Sequence, residues 1–205
     1  MTGVEDQRPR IPLLDVADMN AEQRRLHDSV VSGPRGQMIG PLRAAIHSPE
    51  LASAWSALGE FLRYRTCLPA RLNELAIIVT GRRWTAQVEW WVHARAAVAA
   101  GLKQQIVDTI AALESPAFDD AAEFEVYEFA RALQQTGRVP ADTYDAVLRR
   151  WGARGVVELT AVIGYYTMVA QTLNAHQLPL PEGATGLAPE TILVTLLPGR
   201  HGSAA

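Results

Sequence analysis

Three residues of types that transfer protons lie near one another in the middle of the chain: Glu74, Glu89 and His93. Histidine changes charge near neutral pH, and a neighbouring carboxylate can orient its ring and stabilise its cation. Glu89 and His93 are four residues apart, so on a helix their side chains share one face. Glu74 stands in the apolar segment ELAIIVTG, where an unpaired carboxylate would be costly. It therefore needs a partner, and His93 is the candidate.

The same spacing has other interpretations. A Glu and a His four apart on a helix often form a solvated pair, and a single buried Glu can satisfy a structural contact. Two carboxylates and one imidazole can also hold a metal cation, but no His-Glu-x-x-His motif supports one. We therefore expect acid–base chemistry with no metal and no cofactor, and keep a structural role for this cluster as the alternative.

Further side chains are candidates for contacting a substrate. Guanidinium groups bind carboxylates in a bidentate way, which makes Arg82, Arg83 and Arg43 candidates for holding an acidic substrate. Trp90 flanks the Glu89 and His93 face, and Tyr165 belongs to an aromatic pair that can line a pocket. The single cysteine, Cys67, cannot form an intrachain disulfide or a Cys-x-x-Cys pair, and we expect it to be structural.

The elements that carry these residues are predicted to be helices. Apolar residues recur at intervals of three and four, and 48% of the 205 residues are hydrophobic, enough for a real core. Asn20 is predicted to cap the first helix, and Ser48-Pro49 to begin another. Pro69 opens the helix of Glu74, predicted to end near Gly81, and Thr85 is predicted to cap the helix of His93. Gly152 separates the last two helices.

The domain organisation predicted from these patterns has three parts. Residues 1–19 are an arm rich in proline and charge, 20–176 form the helical domain, and 177–205 are a Pro/Gly-rich tail with one β-branched run, Thr191–Leu197, that suits a short strand. The sequence around Glu74 is echoed at Glu158, in Glu158-Leu159-Thr160-Ala161-Val162-Ile163, which suits two related helical repeats and a chance likeness between two apolar helices equally well.

The charge pattern excludes some classes of partner. The net charge is −3 and no block of Lys or Arg occurs, so a nucleic-acid or polybasic membrane surface is not expected. The N-terminus has no signal-peptide pattern and no run of about 18 apolar residues follows. We expect a cytoplasmic protein.

The segment from Arg71 to Leu102 resembles the core of the carboxymuconolactone decarboxylase and alkylhydroperoxidase-D (AhpD) superfamily. Members have a glutamate, a helix break and a helix that ends in a histidine followed by an Ala/Gly-rich stretch. Glu74, His93 and Gly101 match these features, with Glu74 and His93 nineteen residues apart. The resemblance implies an all-α, multi-helix AhpD-like bundle that forms homo-oligomers, trimers or hexamers.

The resemblance also selects a branch of the superfamily. Members of the peroxidase branch have two cysteines before the histidine, at positions that are Ala86 and Glu89 here, so thiol peroxidase chemistry is not expected. The decarboxylase branch has Glu-Leu-x-x-His, which Glu89-Trp90-Trp91-Val92-His93 matches apart from Trp90. This implies a cofactor-free lyase of the catabolism of aromatic compounds, acting on a small organic acid or lactone. Isomerisation or lactone hydrolysis by the same residues, or a non-catalytic helical oligomer, are the alternatives.

Overall fold

A computed structural model describes residues 8–33, 35–188 and 197–199. Every element of regular secondary structure within these ranges is a helix, which confirms the all-α prediction. A short 3₁₀ turn, Val16–Asp18, precedes the α-helices. These are α1 (Ala21–Ser32), α2 (Leu42–Ala45), α3 (Pro49–Tyr64), α4 (Ala70–Arg83), α5 (Gln87–Ala99), α6 (Gln104–Ala111), α7 (Ala121–Thr136) and α8 (Ala141–Ala175).

Helix α4 is the centre of the bundle. Its segment Leu72–Arg82 is buried throughout, and it packs against α5, α7 and α8. A helix that is apolar around most of its circumference is stable only when neighbours cover every side. Polar groups join it to those neighbours: Arg71 pairs with Asp120 and Glu123 of α7 at 2.6 and 2.5 Å, and Asn73 donates to the Leu62 carbonyl at the end of α3.

Several helix ends agree with the sequence and others do not. Asn20 caps α1 by accepting from the backbone N–H groups of Glu22 and Gln23, as predicted. Ser48 does precede α3, but its side chain makes no capping hydrogen bond. The prediction that Thr85 caps α5 was wrong: the N-cap is Ala86, and Thr85 has a positive φ of 47° while its hydroxyl accepts from Arg82.

Helix α8 is two helices joined at Gly152, whose φ of 66° and ψ of −174° are not helical. The break predicted at this glycine is therefore confirmed. Among the described residues, α8 alone is long and apolar enough to cross a membrane, with a mean hydropathy of 1.2, but 56% of its most apolar window is buried in the fold. Burial against other helices accounts for that composition.

Parts of both ends of the chain lie against the bundle. The backbone N–H of Arg10 donates to the His176 carbonyl at the end of α8. The Tyr127 hydroxyl of α7 donates to the Pro198 carbonyl at 2.7 Å. The strand predicted over Thr191–Leu197 lies, apart from Leu197, outside the described residues.

Candidate active site

The turn between α4 and α5 places the acid–base residues. Only Trp84, Thr85 and Ala86 join the two helices, so α5 folds back along α4. The Ala86 N–H donates to the Gly81 carbonyl at 2.9 Å and closes the end of α4. The two helices pack along their length, and this brings Glu74 of α4 against His93 of α5.

His93 and Glu74 form a buried hydrogen-bonded pair. His93 Nδ1 lies 2.6 Å from Glu74 Oε2, and the residues are only 6% and 7% exposed. Because a carboxylate oxygen can only accept, the imidazole donates from Nδ1. Nε2 makes no hydrogen bond within the described residues and is the nitrogen left for a substrate. The Tyr166 ring stands edge-on to the imidazole, with centroids 4.8 Å apart.

Glu74 has a second cationic neighbour. Arg63 Nε, from the last turn of α3, lies 3.9 Å from Glu74 Oε1, and this nitrogen has no hydrogen-bond partner. Glu74 is thus flanked by an imidazole on one oxygen and a guanidinium on the other. Such an arrangement holds the histidine in one tautomer and stabilises its cation when it gains a proton.

Glu89 has the opposite surroundings. It is 2% exposed, and neither carboxyl oxygen has a hydrogen-bond partner among the described residues. Burial raises the pKa of Glu89 well above its usual value of 4.5, because a charge is poorly solvated there. The carboxyl packs on Gly81, where a Cβ would lie 3.2 Å from Oε1. Helix α4 ends at Arg83, two residues after Gly81 and close to the predicted end. Gly81 leaves room for this acid.

A small cavity lies beside these groups. Its volume is about 50 Å³, and it is lined by side chains that include His93, Glu89, Arg35, Arg63, Tyr165 and Tyr166. The cavity therefore combines an acid–base residue, an acid that favours its neutral form, two guanidinium groups and two phenols. This combination can move a proton and stabilise a negatively charged oxygen at the same place.

Tyr165 holds one wall of the cavity. Its hydroxyl donates to the Trp55 carbonyl at 3.3 Å, and the neighbouring Arg35 guanidinium acts to lower its pKa. Gly59 of α3 makes this possible, since a Cβ there would lie 2.0 Å from the Tyr165 hydroxyl oxygen and 2.5 Å from an Arg35 nitrogen. Burial raises the pKa of Tyr165, so it stays a neutral hydrogen-bonding group.

The other side chains predicted to contact a substrate do not line this cavity. Arg82 is 1% exposed and donates to the Ala111 carbonyl and to the Thr85 hydroxyl. Arg83 donates to the Gln134 carbonyl of α7. Arg43 is half-buried on α2. Trp90 lines a separate open groove of about 420 Å³.

Cys67 and Glu158, two residues noted in the sequence, contact each other in the fold. The backbone N–H of Cys67 donates to Glu158 at 2.5 Å, and burial is the main cause that raises the pKa of its thiol. Glu158, the echo of Glu74, accepts from Arg154 at 2.7 Å instead of from a histidine. Among the described residues, no group of three His, Cys, Asp or Glu side chains is arranged to hold a metal ion.

Sequence reasoning missed Arg35 and Arg63. Arg35 lies in an irregular loop after α1, where no periodicity marks a side chain as buried. The sequence pattern could have identified Arg63, because it stands four residues after Gly59 and therefore borders the buried stripe of α3. A cation at the edge of an apolar stripe predicts a buried anionic partner or a ligand.

Comparisons with known proteins identify the fold. No protein-family profile matches the sequence, and no curated protein matches it. Among solved structures, the AhpD core of an uncharacterised peroxidase-related protein from Ralstonia eutropha is similar, with a TM-score of 0.69, 15% identity and coverage of 85% of this chain and 93% of that one. A peroxidase-related protein from Silicibacter sp. has a TM-score of 0.67 and 15% identity, over 90% of this chain and 97% of that one.

A third similar structure is the debrominase Bmp8, solved in complex with 2,3,4-tribromopyrrole. Its TM-score is 0.60 at 15% identity, and the match covers 85% of this chain and 91% of that one. At this identity the likeness establishes the architecture and not the reaction. The chain has the AhpD-like all-α fold, a fold that includes enzymes.

Proposed function

We propose that the protein is an acid–base lyase that decarboxylates a small organic acid or lactone, with His93 as the group that transfers the proton. The observation that carries this proposal is the 2.6 Å contact between His93 Nδ1 and Glu74 Oε2 beside a cavity with two guanidinium groups. It leaves Nε2 without a hydrogen bond among the described residues, as a general acid or base needs in order to reach a substrate.

The chemistry follows from the charges of the cavity. In decarboxylation the bond to the carboxylate carbon breaks, carbon dioxide leaves, and the electron pair moves into a conjugated carbonyl. A proton then adds to the carbon, delivered by the protonated Nε2 of His93. Burial raises the pKa of Glu89 and so favours its neutral form, which can donate a hydrogen bond to the carbonyl oxygen while charge develops there.

Thiol chemistry of the peroxidase kind has no support in this chain. The positions of the two cysteines of that branch are Ala86 and Glu89. The one cysteine, Cys67, lies beside Glu158 and does not line the cavity of His93.

The test is release of carbon dioxide, followed with the ultraviolet spectrum, from a panel of carboxylated lactones, β-keto acids and vinylogous acids. We expect His93→Gln to lower turnover by about 10²–10⁴-fold, the usual contribution of a general acid or base. The matched control is His27→Gln, which replaces a histidine on α1 whose ring hydrogen-bonds to Asp28 and does not line the cavity, and which should keep full turnover. Thermal unfolding of both variants separates lost chemistry from lost folding.

Each outcome has a defined meaning. Equal turnover by His93→Gln and the unsubstituted protein would refute His93 as the proton-transfer group. Spectral change without carbon dioxide would indicate isomerisation or lactone hydrolysis by the same residues. A wild-type protein that is inactive on the whole panel, with a variant that only melts earlier, would favour the non-catalytic helical oligomer.

We further propose that the chain acts in the cytoplasm as a homo-oligomer, a trimer or a hexamer. Leu51 and Leu58 support assembly, because they lie seven residues apart on one face of α3 and are 56% and 49% exposed. Sedimentation equilibrium measures the mass directly, and a monomer at all concentrations would refute this assembly.

A further inference from the structure

Unpaired polar atoms are concentrated at one place in the molecule. Six buried side-chain nitrogen or oxygen atoms of the described residues lack a hydrogen-bond partner, and four of them belong to Arg35, Arg63 and Glu89. All three residues line the cavity of His93. Buried polar groups are nearly always paired in folded proteins, so a cluster of unpaired groups around one cavity indicates a site suited to binding a polar group.

The identity of these atoms defines the ligand. Arg35 and Arg63 each offer an unpaired N–H donor on a cation, and Glu89 offers an O–H donor when its carboxyl is neutral. Within the described ranges Arg35 makes no ion pair, and its charge acts on the neighbouring Tyr165 hydroxyl. The carboxylate paired with Arg63 is Glu74, whose Oε1 lies 3.9 Å from Arg63 Nε. Donors on cations require an acceptor that is negatively charged.

We propose that Arg35 and Arg63, together with Glu89, form the binding site for a carboxylate group of the substrate. This proposal rests on the proposed lyase function and names the group by which the substrate is recognised. The bound carboxylate is one that the substrate retains, because holding the departing carboxylate with two cations would stabilise the ground state and slow its loss.

The size of the cavity limits the bound group. A volume of about 50 Å³ accommodates a few heavy atoms, since a single water needs roughly 10–15 Å³. A second pocket of about 160 Å³ shares Arg35 with the cavity and is lined by Ser29, Ser53 and Ser56 among others. The group that occupies the cavity is therefore a carboxylate with few further atoms, as in a compact carboxylic acid.

The position of Arg35 is fixed by α3 and α8. An Arg35 nitrogen and the Tyr165 hydroxyl of α8 lie side by side in the space that Gly59 of α3 leaves. Arg35 lines both the cavity of His93 and the second pocket, so its charge acts on an anion bound in either one.

The test is binding, without turnover, of crotonate and of its neutral isostere crotonamide, measured by isothermal titration calorimetry. We expect the wild-type protein to bind crotonate at least about tenfold more tightly, because hydrogen bonds to charged groups are stronger than those to neutral ones. Arg35→Gln should abolish this preference, and Arg35→Lys should keep part of it. The matched control is Arg25→Gln, an exposed arginine of α1, which should bind like the wild type.

Circular dichroism of each variant verifies that it is folded. The proposal is overturned if the wild-type protein binds the two compounds equally, binds neither, or keeps its preference in a folded Arg35→Gln variant. The two proposals fail separately: carboxylate preference without turnover on any acid refutes the lyase and keeps the binding site. Turnover that depends on His93 without carboxylate preference does the reverse.

Discussion

Glu74 on α4 and Glu89 on α5 are both buried, but their environments are opposite. Glu74 contacts the His93 imidazole at 2.6 Å and has the Arg63 guanidinium nearby. Glu89 has no hydrogen-bond partner among the described residues, and burial alone raises its pKa. Environments that separate the behaviour of two carboxyl groups are typical of sites that need an acid and a base together.

The isolation of Glu89 predicts a dependence of stability on pH. Because burial raises the pKa of Glu89 in the folded protein, the folded chain holds this proton more tightly than the unfolded chain. As the pH rises above the usual value of 4.5, the unfolded chain loses the proton first. The contribution of Glu89 to the free energy of unfolding is complete below that pH and falls by up to about 1.4 kcal/mol per pH unit above it.

The Glu89→Gln variant has no ionisable group at this position. We expect the variant to gain stability relative to the wild type as the pH rises from 4.5 toward the folded-state pKa, in urea unfolding at a series of pH values. The other charged and titratable groups that line the cavity, Arg35, Arg63, His93, Tyr165 and Tyr166, remain in the variant. Glu50→Gln, at an exposed site on α3, should show no such trend. A constant difference between Glu89→Gln and wild type would contradict the prediction.

At the scale of the helices, features that depend on neighbouring residues in the chain were predicted from the sequence, and features that depend on packing between helices were not. The Asn20 cap and the Gly152 break depend on neighbours in the chain, and both are found. The Glu89 and His93 spacing places the two residues on one face for the same reason. The role of Gly81 depends on α5 packing against it, and no local pattern encodes that. Arg35 and Arg63 reach the cavity from distant segments, so periodicity could not assign them to it.

Helix α8 offers a prediction with an internal control. Gly152 adopts backbone angles that are nearly restricted to glycine, whereas Gly164 lies within the helical part. At both positions a side-chain methyl group would have no other residue within 4 Å, apart from its chain neighbours and the backbone of its own helix. Gly152→Ala should therefore lower the free energy of unfolding by about 1–3 kcal/mol through backbone strain alone. Gly164→Ala should raise it by about 0.5–1 kcal/mol. Thermal or denaturant unfolding measures both, and equal effects would show that the break is not strained.

At the scale of the whole molecule, the candidate active site combines residues from the buried centre of the bundle with residues from a surface loop. Glu74 lies in α4, which is buried from Leu72 to Arg82, whereas Arg35 comes from a loop in which Gly36 and Gln37 are exposed. Local opening is rarest where burial is greatest.

Hydrogen exchange should resolve these two regions. We expect the amides of Leu72–Arg82 to exchange only through global unfolding, and those of residues 35–40 to exchange orders of magnitude faster, because few buried contacts restrain the loop. Mass spectrometry of quenched and digested samples measures both segments in one experiment. Exchange of α4 at the rate of that loop would contradict the central place of α4 in the fold.

Gly59 has a consequence for how this protein could diversify. The missing methyl group there leaves the space that Tyr165 and Arg35 occupy, whereas His93 and Glu74 are positioned by other helices. Replacing Gly59 would displace Tyr165 and Arg35 and so reshape the wall of the cavity. Variation among related sequences at this position would therefore act first on what the cavity binds.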